Sequence, residues 1–153
     1  MARTRVAVKQ VVQHGAMDGT VPPVDLDKVR LDRQANVRRE LKTRDLAGAL
    51  LFDQINVRYT TDATNMQLWC LHNEVRYCFL ATEGPCIIFD FAHVSHLTGG
   101  LPTVDEQRPA RGADYMGSGP RVKEHAKLFA QEIADLVRDH GGGNRRIAVD
   151  RLG

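Results

Sequence analysis

The chain is short of the residues that announce a specialised protein. Aromatic side chains make up 6% of its 153 residues, and Trp69 is the single Trp. Its net charge is only +2, with 21 basic residues interspersed among 19 acidic ones. Both scarcities argue against a nucleic-acid surface, which combines a basic stripe with stacking aromatics. The basic run Val37–Arg44 reads as a solvated helix face. No apolar run is long enough to span a bilayer, and Lys9 and Gln10 interrupt the opening "MARTRVAVKQVV" before a secretory core of about 7–15 residues can form. The three Cys (Cys70, Cys78, Cys86) are an odd number at spacings that fit no zinc knuckle, which predicts reduced thiols in a cytoplasmic protein.

Catalytic signatures are missing too. There is no G-x-S-x-G, no S-x-x-K and no strand-borne Cys with an evident His partner. The glycines of "HGGGN" (His140–Asn144) follow a helical pattern instead of preceding one, so they terminate a helix and do not cradle a phosphate. Asp105 and Glu106 are adjacent and point to opposite faces if extended. His93 and His96, with Asp90, form a possible metal cluster, but without H-E-x-x-H spacing two exposed His are the simpler reading.

What remains is an ordinary globular composition, 42% hydrophobic and 26% charged, sized for one domain. Residues 1–24 read as an N-terminal arm ending at Pro22 and Pro23. Asp25 or Asp27 caps a helix to about Arg44, with Leu26, Val29, Val37 and Leu41 as a stripe that Arg33 interrupts. Leu46–Asp53 is continuously apolar, as in a strand buried on both faces. Arg76–Thr82 and Cys86–Phe91 flank "EGP" as a hairpin. A short helix follows at Ala92–Leu97, then short strands near Thr103–Val104 and Tyr115. Pro120–His140 is the clearest helix, with Val122, Ala126, Phe129, Ile133 and Leu136/Val137 at steps of three and four and Ser118 as its candidate cap. Arg145–Asp150 is a last strand, and Asn144 before it suits a left-handed conformation. Helices alternating with apolar strands predict an α/β fold: a mixed β-sheet flanked by helices on both faces. A strand three residues from the end predicts a domain cut from a longer chain.

One connection stands apart. Asn65, Gln67, Trp69, His72 and Asn73 gather amides, an indole and an imidazole between two strand-like runs, a composition suited to recognising a small polar ligand. The alternative is that Trp69 plugs the core while the amides cap turns. Ahead of it, Arg58 reads as answering a carboxylate and Tyr59 as burying its ring.

The order "GALLFDQINVRYTTDAT", "RYCFLATEGPCIIFDF", "VKEHAKLFAQEIADLVRDHGGG", "RIAVDR" resembles the N-terminal domain of the creatinase/Xaa-Pro dipeptidase ("pita-bread" metallopeptidase) family, over roughly residues 27–151. Its structural motif here is Asn56, Arg58 and Tyr59, within a family-typical turn at Ile55–Thr61. The family's usual Gly-Phe is replaced by Asp62 and Ala63. "TNMQLWCLHN" (Thr64–Asn73) is similar to the branch that contains the dimethylsulfoniopropionate lyases.

The resemblance implies a creatinase N-terminal (ribonuclease H-like) fold over residues 25–153, joined to a catalytic C-terminal domain absent from this chain. That domain would hold a dinuclear metal site on two Asp, one His and two Glu, motifs that do not occur here. No catalytic residue, metal ligand or cofactor is therefore carried over. The family's N-terminal domains serve homodimerisation and lend loop residues to the neighbouring subunit's substrate pocket, which would make Asn65, Gln67, Trp69, His72 and Asn73 substrate-binding in trans. The competing readings are a non-enzymatic protein- or peptide-binding module that keeps the fold, and a nuclease built on Asp53, Asp90 and Asp150.

Overall fold

A computed structural model describes residues 23–64, 75–112 and 115–150. Helix α1 (Leu26–Thr43) starts at Asp25, whose carboxylate accepts the Lys28 N–H at 3.0 Å, so Asp25 and not Asp27 is the cap. Strand β1 (Gly48–Leu51) is buried along its whole length. The next stretch departs from the expected turn: Gln54–Thr61 is a helix, α2. Its composition is poor for a helix, but Asp53 accepts the N–H groups of Ile55 and Asn56, and Val57 is fully buried against the sheet. Burial of one such side chain contributes about 1.5–3 kcal/mol, enough to override weak propensity over a short helix. The helix stops at Asp62, in the left-handed region at φ 59°. Asp tolerates that conformation better than most residues.

Strands β2 (Tyr77–Ala81) and β3 (Cys86–Asp90) form the expected hairpin. A single 3₁₀ turn at Ser95–Leu97 replaces the anticipated short helix. Strand β4 is Glu106–Pro109, downstream of the expected Thr103–Val104, and Tyr115 opens a short helix, α3 (Tyr115–Ser118), where a strand was expected. Thr103 is buried in the preceding loop, its hydroxyl donating to the Thr61 carbonyl. Helix α4 (Val122–His140) follows a 3₁₀ turn; Ser118 does not cap it and donates instead to the Gly112 carbonyl. Gly142 and Gly143, at φ 57° and 97°, end it, and Asn144 ties back to Asp45 through its side chain instead of turning left-handed. Strand β5 is Ile147–Val149.

The sheet order is β4-β3-β2-β1-β5, with β1/β2 and β2/β3 antiparallel and β3/β4 and β1/β5 parallel. Because strand side chains alternate between faces, the register separates two cores. Leu50, Tyr77, Phe79, Ile87 and Phe89 meet Ile133, Leu136 and Val137 of α4 on one face. Ala49, Leu51, Cys78, Leu80, Cys86 and Ile88 meet Leu41 of α1 and Val57 of α2 on the other. The protein is thus a mixed α/β sheet covered on both faces. No helix among the described residues is long and apolar enough to cross a membrane.

Candidate functional site

Two polar clusters, one partly exposed and one fully buried, hold the strands and helix on either side of the segment singled out above. On the approach, Asp150 at the end of β5 accepts the N–H groups of Phe52 and Asp53 at 2.8 and 3.2 Å and the Asn56 amide at 3.0 Å. On the exit, Arg76 donates from Nε to Asp90 at 2.8 Å, with both side chains fully buried. Gln54 completes this cluster, accepting from Arg76 at 3.3 Å and donating to the Arg76 carbonyl at 3.0 Å. One guanidinium nitrogen, Nη2, has no hydrogen-bond partner among the described residues. Asn65, Gln67, Trp69, His72 and Asn73 themselves lie outside the described residues, as does Cys70.

Beside Thr64 opens a cleft of about 630 Å3 lined by Arg30, Arg58, Asp62 and His96 over Leu97 and Leu101. Arg30 is fixed by Asp27 at 2.7 Å and Asp62 at 2.8 Å, and the Asp62 contact holds its guanidinium above the usual value. Arg58 departs from the carboxylate pairing expected of it: it is exposed and makes no ion pair among the described residues. Tyr59 is likewise 44% exposed and stacks beneath Arg33, 5.8 Å from the ring centroid, instead of burying its ring. Both face outward because the helix they occupy turns Val57 and Thr60 inward.

The other candidates do not converge. His93 stacks on Phe91 at 5.7 Å and His96 lines the cleft, while Asp90 is turned inward to Arg76. Asp53, Asp90 and Asp150 serve as helix cap, ion-pair partner and loop tether, which accounts for each without metal chemistry. Among the described residues no three His, Cys, Asp or Glu gather as metal ligands. Cys78 and Cys86 are free, buried thiols 3.5 Å apart, and that contact together with burial pushes the Cys78 thiol well above its ordinary value. Such a thiol is a poor nucleophile.

Comparison with known proteins returns two curated sequences named dimethylsulfoniopropionate lyase DddP. The protein from Roseovarius nubinhibens is 38% identical over 128 residues and that from Roseobacter denitrificans 39% over 128 residues, each match covering 84% of this chain. By sequence, the chain is similar to part of the DddP lyases. That is the branch to which "TNMQLWCLHN" pointed. The chain spans 29% of the length of these relatives. A solved structure, the creatinase/prolidase-like N-terminal domain of a metallopeptidase from Corynebacterium diphtheriae, aligns at a TM-score of 0.44 and 12% identity, covering 80% of this chain and 98% of that one. No protein-family profile matches the chain.

The residues that sequence reasoning missed are Gln54, Arg76 and Asp90 acting together. Their signal was present: the hairpin register Tyr77↔Phe89, carried one step outward, sets Arg76 opposite Asp90. Opposite charges across a hairpin attract, and complete burial makes this pair a structural anchor.

Proposed function

We propose that the chain is the non-catalytic N-terminal domain of a creatinase/Xaa-Pro dipeptidase-like metallohydrolase or lyase, serving dimerisation and lending the Asn65–Asn73 segment to the substrate pocket of the neighbouring subunit. One observation carries this reading: a match over 84% of the chain that spans only 29% of each DddP relative. The dinuclear metal site that the family resemblance implies belongs to the remainder, which would generate the nucleophile or activate the substrate there. This chain's part is positional. Asp150 and the Arg76–Asp90–Gln54 cluster hold rigid the elements between which the segment runs, as a contributing loop requires.

Among proline peptides, creatine-like amidines and sulfonium compounds, the names of the relatives favour a sulfonium carboxylate. The test is kinetic, in a protein of the relatives' length carrying this chain. Trp69→Ala and His72→Ala are expected to raise KM or lower turnover on dimethylsulfoniopropionate by about tenfold or more. Kinetics and dimerisation both matching the unsubstituted protein would sink the proposal.

A further inference from the structure

The β5 edge of the sheet is unfinished in two independent respects. First, its outward N–H groups make no hydrogen bond among the described residues. The Ala47 N–H donates to the Arg146 carbonyl at 2.7 Å, which turns the N–H of Ile147, and by alternation that of Val149, away from β1. Sheet order leaves no strand beyond β5 among the described residues. Parallel strands normally lie inside a covered sheet, yet Val149 is 42% exposed. Second, an apolar groove of about 600 Å3 runs between α4 and β5, lined chiefly by Phe129, Ala130, Ile133, Ala134, Val137 and Ile147.

Topology says what fits there. Strands β4 and β5 run in the same direction, since β4 parallels β3, β5 parallels β1, and β1 and β3 are each antiparallel to β2. The path β4–α4–β5 is therefore a parallel crossover, moving across the sheet toward β5 with its helix on the face of Leu50 and Phe79. Such crossovers are right-handed almost without exception. A further crossover onward from β5, travelling the same way with the same hand, must put its helix on the same face, beside α4. The groove lies there.

We infer that the β5 edge and the α4 groove form the docking face for a helix–strand unit, the helix seated against Ala130, Ala134 and Ile147 and the strand adding parallel to β5. Its source is the polypeptide that makes up the rest of the relatives' length, of which this chain spans 29%. The helix carries an apolar stripe toward the groove and acidic residues toward Arg145, an exposed rim residue with no ion pair among the described residues. This inference stands apart from the loop reading above. A chimaera that keeps full turnover after Trp69→Ala would remove that reading and leave this one intact.

The test uses the 153-residue chain and two probes. One is a peptide of about 30 residues, the size of a helix–strand unit, taken from the Roseovarius nubinhibens lyase directly after its matched stretch. The other is a chimaera with this chain in place of the matched 128 residues of that lyase. Amide exchange at Ile147 and Val149 is expected to be fast in the chain alone and slowed about tenfold or more by either probe, with Ala134→Arg abolishing the effect of the peptide. Where the peptide is insoluble the chimaera decides, and where the chimaera does not unfold cooperatively the peptide decides. Unchanged exchange in the deciding arm overturns the inference. So does a chain that sediments as a dimer and becomes monomeric on Ala134→Arg, which would assign the face to a second copy.

Discussion

Arg76 and Asp90 meet at 2.8 Å with neither side chain exposed to solvent, at the mouth of the hairpin that follows the candidate binding segment. A buried ion pair is a weak source of stability but a costly thing to break, because removing one partner leaves the other charged in a low-dielectric site.

Arg76→Met and Asp90→Asn are accordingly each expected to cost about 3–5 kcal/mol in urea unfolding, while the double replacement Arg76→Met/Asp90→Leu recovers a large part of the loss. Single variants within 1 kcal/mol of the parent would show that the pair carries little.

Asp62 sits at φ 59° and bonds Arg30 at 2.8 Å. Replacement by Gly relieves the backbone while losing a mostly buried ion pair worth about 1 kcal/mol, so it should be nearly neutral. Asp62→Ala loses the pair and keeps the strain, and is expected to cost about 1–2 kcal/mol more than Gly in the same thermal unfolding measurement.

Burial pushes the Tyr77 phenol up from 10.0 to about 12, partly offset by the Arg111 N–H that it accepts. The folded state thus holds this proton more tightly than the unfolded chain. The associated stability is complete below pH 10 and falls away as pH rises toward about 12. The loss amounts to about 3 kcal/mol at most. Denaturant midpoints measured from pH 8 upward should fall less steeply for Tyr77→Phe than for the parent.

In a Cys70→Ser background, Cys78 and Cys86 are expected to resist a thiol reagent at pH 8 and to react only at the rate of unfolding. Their full burial, and the raised proton affinity of Cys78, both withhold the thiolate. Labelling that outruns unfolding, followed by stopped-flow absorbance, would count against this account.

Much of the architecture was legible because it rests on periodicity. The stripe of α4 and the uninterrupted apolar runs of β1, β2 and β3 carry their burial pattern in the chain itself. Strand β4 was hidden: "EQRP" is polar and half exposed, and only pairing with β3 makes it a strand. Helix α2 was hidden as well, since Asn, β-branched residues and Tyr oppose it locally. Its existence depends on the Asp53 cap and on Val57 finding the sheet. The candidate segment announced itself by composition, whereas the cluster at its exit did not, because an Arg in an apolar run reads as a surface residue until its partner's depth is known. Arg58 and Tyr59 misled for the complementary reason: a helix, unlike the expected turn, directs them outward.

The tether from Asp150 to Phe52, Asp53 and Asn56 spans separations of 98, 97 and 94 residues. A chain leaving the ribosome exposes the hairpin and α4 before this carboxylate, so the brace on α2 forms after them. Translational pausing before residue 150 would leave a compact intermediate whose sheet is largely paired but whose α2 still lacks its outer brace.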